Sequence, residues 1–188
     1  MIILDLLKLF ARIPARNGVL DIFANGHSSL NGYLDLQNYI HGLPEPLIPE
    51  IGSFVFGQSL EAVKQRINKV RGTYLFVDFG EFESSRNRQN SIEDRQRVAV
   101  TVAKKMGSSS DIIEEVLASD QCLGLINKVR ACLLAQQIPW LKLLSEQHSI
   151  IPLESKELSS VGWTLIFDIT ASDWFDLKLE ISSFQKKM

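Results

Sequence analysis

Tyr74-Leu75-Phe76-Val77-Asp78-Phe79-Gly80-Glu81-Phe82 is aromatic and β-branched, and period-two spacing sets Leu75, Val77 and Phe79 on one face of a strand. From Arg95 to Lys105 the chain alternates again, with Val98, Val100 and Val102 on one side and Arg97, Ala99 and Thr101 on the other. Consecutive strands usually pair as neighbours, so an antiparallel hairpin is expected. Its connection, Glu83 to Asp94, is too long for a tight turn and too polar to bury, and is expected as an exposed arm or a disordered tip. A helix opened by Asp111 supplies the cover that a valine face needs. Its stripes run through Ile112, Ile113, Val116 and Leu117 and through Leu123, Ile126, Val129, Leu133 and Leu134. Ser119-Asp120 can cap a fresh start, which leaves one bent helix and two consecutive ones both open.

Upstream, Ile2, Ile3, Leu6, Leu7, Phe10 and Ile13 recur at helical spacing until Pro14, predicting a short amphipathic helix that docks on the domain or on a partner. Glycines and prolines punctuate residues 17–53, where Leu34 to Ile40 fits either a helical turn or a strand. Leu43-Pro44-Glu45-Pro46-Leu47-Ile48-Pro49 must be extended, because each proline pushes the residue before it out of the helical region. Ser59 to Val70 returns to helix, with Ser59 as N-cap, Leu60, Val63, Ile67 and Val70 inward, and Lys64, Arg66, Lys69 and Arg71 on a face read as solvated in preference to an anion site.

Downstream, Trp140 to Leu144 suggests a helical turn and Ser149 to Leu153 a short strand. Val161, Trp163, Leu165, Phe167 and Ile169 alternate on one side of a further strand. Phe175, Leu177, Leu179 and Ile181 do the same after a turn at Ser172-Asp173, predicting a second hairpin. The expected architecture is α+β: a mostly antiparallel sheet of two hairpins, one principal covering helix and an N-terminal helical and extended arm. The boundaries read as an arm over 1–58, a domain over 59–183 and a frayed tail over 184–188.

Of 188 residues, 45% are hydrophobic, enough for a core, and the formal charge of −2 argues against bulk electrostatic binding to nucleic acid or anionic membrane. No run approaches the roughly 18 apolar residues of a membrane span. Met1 to Ala11 carries Asp5 and Lys8 inside its apolar run, so a secretory signal is not expected and the protein reads as intracellular. Cys122 and Cys132 sit too far apart on a helix to bond, and read as small buried residues in a reducing compartment.

Neither metal nor cofactor is expected. His27, His41 and His148 share no helix face, and Gly52-Ser53-Phe54-Val55-Phe56-Gly57 lacks the lysine and hydroxyl of a phosphate loop. Asp78, Glu81 and Glu83 near one strand end, with Asp168 and Asp173, read as solvated charges; a hydrolase would need at least two of Asp78, Glu81, Asp168 and Asp173 in one concave pocket. Arg86, Arg88, Arg95 and Arg97 would make the long connection a basic polar arm, softened by Glu93 and Asp94, for a partner or, more weakly, for nucleic acid.

The order of Tyr74 to Gly80, then Arg97 to Val102, then Leu123-Gly124-Leu125-Ile126-Asn127-Lys128-Val129-Arg130-Ala131-Cys132-Leu133, then Gly162 to Ile169 resembles the tail-terminator and tail-completion proteins of long-tailed bacteriophages. The resemblance covers residues 72–181 and rests on element order and hydrophobic pattern, while the chain before residue 72 departs from a minimal member. It implies a small non-enzymatic α+β subunit without cofactor. Such a subunit forms a ring, possibly a hexamer, on the tail-tube end, with tail-tube or head–tail connector proteins as partners, first in the host cytoplasm and then in the virion tail. The rival expectation is a small intracellular binding or regulatory module acting as monomer or dimer.

Overall fold

The computed structural model describes residues 2–23, 26–86, 90, 92–135 and 148–172. They form, in chain order, α1 (Ile2–Phe10), α2 (Arg16–Leu20), α3 (Tyr33–His41), β1 (Ser53–Gly57), α4 (Leu60–Lys69), β2 (Thr73–Asp78), β3 (Phe82–Arg86), β4 (Ile92–Lys105), α5 (Ile112–Ala135), β5 (Ser149–Ser155) and β6 (Ser160–Ser172). The described strands make one sheet ordered β1-β2-β4-β6-β5, with β3 pairing β4 beyond the end of β2. β1 and β2 run parallel across the α4 connection, and the other pairings are antiparallel. The fold is α+β with a mostly antiparallel sheet, as the alternation predicts.

β4 and β6 pair along their lengths, from Glu93 opposite Ser172 to Lys105 opposite Ser160. Parity then sends Val98, Val100, Val102, Leu165, Phe167 and Ile169 to one face, where they meet Cys122, Ile126, Val129 and Leu133 of α5. Leu75 and Val77 of β2 join them, and so do Leu6, Leu7, Phe10 and Ile13 from the start of the chain. The opposite face buries Val55, Tyr74, Phe76 and Ala103 against Val63 and Ile67 of α4 and against Leu158. Thr101 and Thr164 lie directly opposed on that face, and their buried hydroxyls satisfy each other at 2.8 Å.

The structure decides or corrects the sequence reading in three places. α5 runs unbroken through Ser119-Asp120, because Ala118 and Cys122 bury on the same face as Ile126 and Val129. Its start is capped by Asp111, whose Oδ1 accepts the N–H groups of Ile113 and Glu114 at 2.9 Å each. The connection from Glu83 to Asp94 is largely strand: β3 and the first part of β4 pair from Phe82 opposite Gln96 to Arg86 opposite Ile92. All of β3 is exposed, so neither face of it leaves a hydrophobic trace to read.

The third departure concerns residues 1–58, which are built into the domain. β1 belongs to the sheet, and Leu43, Ile48 and Ile51 are buried with the core of α1. The N–H groups of Leu47 and Ile48 donate to the carbonyls of Arg12 and Ile13 at 3.0 and 2.8 Å. The Arg16 guanidinium donates to the carbonyls of Leu43 and Pro44, and Lys128 of α5 pairs with Glu50 at 2.5 Å. The proline run, expected to be extended, bends at Glu45 and Leu47 and turns at Pro49, and it lies on its own chain. Leu34 to Ile40, open between helix and strand, is helical in α3. The expected turn over Trp140–Leu144, the Ser172-Asp173 turn as a whole and the strand Phe175–Ile181 lie outside the described residues, as does the 184–188 tail.

β2 and β3 occupy the same side of β4 and are parted by a kink at Gly80. Its φ is +40°, and an added Cβ would stand 2.5 Å from the Arg97 carbonyl oxygen. Asp78 holds the kink, its Oδ1 accepting the N–H of Gly80 at 2.9 Å and that of Ser59 at 3.1 Å. Gly80→Ala is expected to destabilise the protein by about 1–3 kcal/mol, seen as a lower urea midpoint at unchanged slope; an unmoved midpoint would show the kink to be unstrained.

Burial also governs the two thiols. Burial pushes the Cys122 thiol up to about 11, and it raises Cys132 as well. A thiol-specific chromogenic reagent at pH 8 is expected to reach Cys122 only after denaturant is added, while the half-buried Cys132 reacts in the native protein. Equal native rates for both would contradict the packing of α5 on β4 and β6.

Candidate interaction surfaces

Beyond the end of β2, residues 82–86, 92–97 and 168–172 form a three-stranded ribbon that carries most of the arginines singled out from sequence. The register sets Arg97 opposite Asp168 and Arg95 opposite Glu83. Arg95 Nη2 donates to Asp168 Oδ2 at 2.6 Å, and its Nη1 lies 3.9 Å from Glu83. Arg97 Nε stands 3.5 Å from the other Asp168 oxygen. The Asp168 carboxylate, with help from Glu83, raises the Arg95 guanidinium above its ordinary value. Arg86 donates to Asn90 Oδ1 at 3.0 Å nearer the tip, and Arg88 lies outside the described residues. Arg95 and Arg97 therefore come together around an acid, and their stretch of ribbon is mixed in charge where the sequence suggested a basic patch. Exposed pairs of this kind add little to stability, but they cancel the field a polyanion would feel.

The carboxylates fall apart as a catalytic set. Asp78 is spent on backbone N–H groups at the kink. Glu81 and Glu83 flank a shallow cleft with Arg95 and Arg97, and Asp173 lies outside the described residues. Among the described residues no group of three or more His, Cys, Asp or Glu side chains is arranged to hold a metal ion, and no helix is long and apolar enough to cross a membrane. His148 accepts a hydrogen bond from Arg130 Nε at 2.7 Å.

Two apolar patches stand out instead. Ile112, Ile113, Val116 and Leu117, on the first two turns of α5, are 57–69% exposed. At about 100° per residue they lie roughly opposite the stripe of Ala118, Cys122, Ile126 and Val129 that meets the sheet, so they form an outward ledge. Sequence patterning displayed this stripe but assigned it to the core. Leu30 and Leu34, just before and within α3, are exposed by 76% and 58%. α5 packs on β4 and β6, whereas α3 stands beside α2, which abuts β1; the two patches therefore stand over different strands, while Val19 and Ile40 share one core cluster with the buried stripe of α5.

A trough of about 630 Å³ follows β1. Ser53 to Phe56 line it, α4 and the residues just after it contribute Arg66, Lys69 and Arg71, and Ile22 and Tyr33 stand on the side of α2 and α3. The basic residues of α4 were legible as a helical face; that β1 would run beside them was not, since nothing in residues 52–57 marks an outer strand. Lys64 of the same helix is separate, paired with Glu157 at 2.6 Å. That contact raises the Lys64 ammonium and lowers the Glu157 carboxyl.

Asp168→Asn, which removes the acid shared by Arg95 and Arg97, is expected to lengthen retention on immobilised heparin at low salt. Elution identical to wild type would show that both guanidinium groups were already available to a polyanion. Compared with known proteins, the chain matches no family model and no curated protein.

Proposed function

We propose that the protein is a non-enzymatic structural subunit of a phage or prophage tail, closing into a homo-oligomeric ring of about hexamer size at or near the tail-tube end. The observation that carries this reading is the apolar ledge of α5. Scattered exposed apolar residues are ordinary, but Ile112, Ile113, Val116 and Leu117 are contiguous on two turns and more than half exposed. Ring closure needs two unlike surfaces that meet head to tail, and the ledge and the Leu30/Leu34 patch are separate, one on α5 over β4 and β6, the other at α3 beside α2 and β1. The ribbon supplies a third feature, a projecting set of strands whose polar, ion-paired surface suits contact with a tail-tube or connector protein across a wet interface. In this reading the subunit is made in the host cytoplasm and ends in the virion tail.

The trough beside β1 favours a second reading, a small binding module acting as monomer or dimer, because a concave strand edge serves a single partner without any ring.

Light scattering across concentration separates the two, backed by electron micrographs with and without a candidate tail-tube protein. The expected result is a ring, formed either alone or on tube ends, that is lost in the Ile113→Asp, Leu117→Asp double variant while its circular dichroism stays native. A strict monomer or dimer that ignores the tube overturns the proposal and leaves the binding module.

A further inference from the structure

β1 ends the described strand order, so no other described strand pairs along its outer side. Gly18 of α2 closes the start of that edge: an added Cβ there would stand 2.1 Å from the Gly52 carbonyl oxygen, so helix and strand meet in backbone contact. Past that contact the edge lies along the trough, between a basic wall and a wall of Ile22 and Tyr33 that also carries Asp21. Arg66 Nη1 donates to the Phe56 carbonyl at 3.3 Å, which holds its guanidinium against β1. Among the described residues none of Arg66, Lys69 and Arg71 takes part in an ion pair, in contrast to Lys64, Lys128, Arg95 and Arg97.

Open strand edges are usually blunted or covered, because their backbone groups recruit another strand. Here the edge is flanked by cations on one side only. A free anion would use the basic wall alone, and an apolar ligand would use Ile22 and Tyr33 alone. An extended acidic segment uses both walls and the strand edge, because successive side chains of a strand point to opposite sides.

We propose that the trough binds an extended segment of a partner protein, which adds as a strand to β1 and alternates acidic with apolar side chains. The acidic side chains face Arg66, Lys69 and Arg71, and the apolar ones face Ile22 and Tyr33. The five residues of β1 set the length of the paired stretch, about 17 Å at the usual rise. This binding goes beyond the ring reading and stands whether or not a ring forms.

The test is fluorescence anisotropy of the full chain with a short labelled peptide in which Glu alternates with Val and Thr. Saturable binding is expected, weakened about tenfold or more by Arg66→Glu with Lys69→Glu, both exposed positions whose reversal leaves the urea midpoint near wild type. A second probe with proline at alternate positions keeps the charge but removes the N–H donors that a strand needs, and is expected to bind far more weakly. Equal binding of both probes reduces the contact to charge attraction and overturns the proposal. Affinity untouched by the charge reversal, or no binding of the first probe, overturns it too. If the reversal instead lowers the mass of the protein alone in light scattering, the occupant is a second copy of this chain, and the assignment to a partner falls.

Discussion

The pairing of β4 with β6 is the constraint on which the other elements depend. These strands run 14 and 13 residues, well beyond the usual strand of about five or six, and they pair almost throughout. Their register admits no slip of one residue, because that would turn Val98, Val100 and Val102 away from α5 and put Arg97, Ala99 and Thr101 in their place. The helices cover only part of this pair. The ladder continues past β2 as the ribbon, which buries Asp94 and Gln96 on one face and leaves Arg95 and Arg97 exposed on the other, so the ribbon is a remainder of the same ladder that organises the core.

The same register decides the electrostatics. Arg95 and Arg97 were placed by sequence on a polar stretch rich in cations, yet the strand opposite brings Asp168 between them and β3 brings Glu83 alongside. Charge on a strand is thus a property of cross-strand neighbours more than of the local run. Arg66, Lys69 and Arg71, which form no ion pair among the described residues, stand elsewhere, on α4 and just after it, near β1 at the end of the described strand order.

Legibility followed burial. β2, the second half of β4, α5 and β6 each bury an alternating or helical stripe, and Leu75, Val100, Ile126 and Phe167 announced them. β3 exposes both faces, so Phe82 to Arg86 carried no periodicity to find. β1 is short and begins and ends near glycines, and its parallel pairing with β2 depends on the α4 connection more than on any local pattern. The proline run excluded a helix but did not show its destination, because Ile48 and Ile51 bury against residues distant in the chain. For the interaction surfaces the limit was of another kind. Ile112 to Leu117 carried the same apolar signature as a core stripe, and only the choice of which face of α5 meets the sheet separates ledge from core.

The single large core joins the first residues of the chain to the last described strand: Leu6, Leu7 and Phe10 share a cluster with Phe167 and Ile169. A polypeptide leaves the ribosome from its N-terminus, so α1 is made long before the surface it packs on exists. Its apolar stripe shares a core that is complete only when β6 has been synthesised and has joined β4. Completion is thus held back by pairings distant in sequence, the kind that form slowly. During that interval the nascent chain offers chaperones an amphipathic helix, and crowding copies offer one another the same surface.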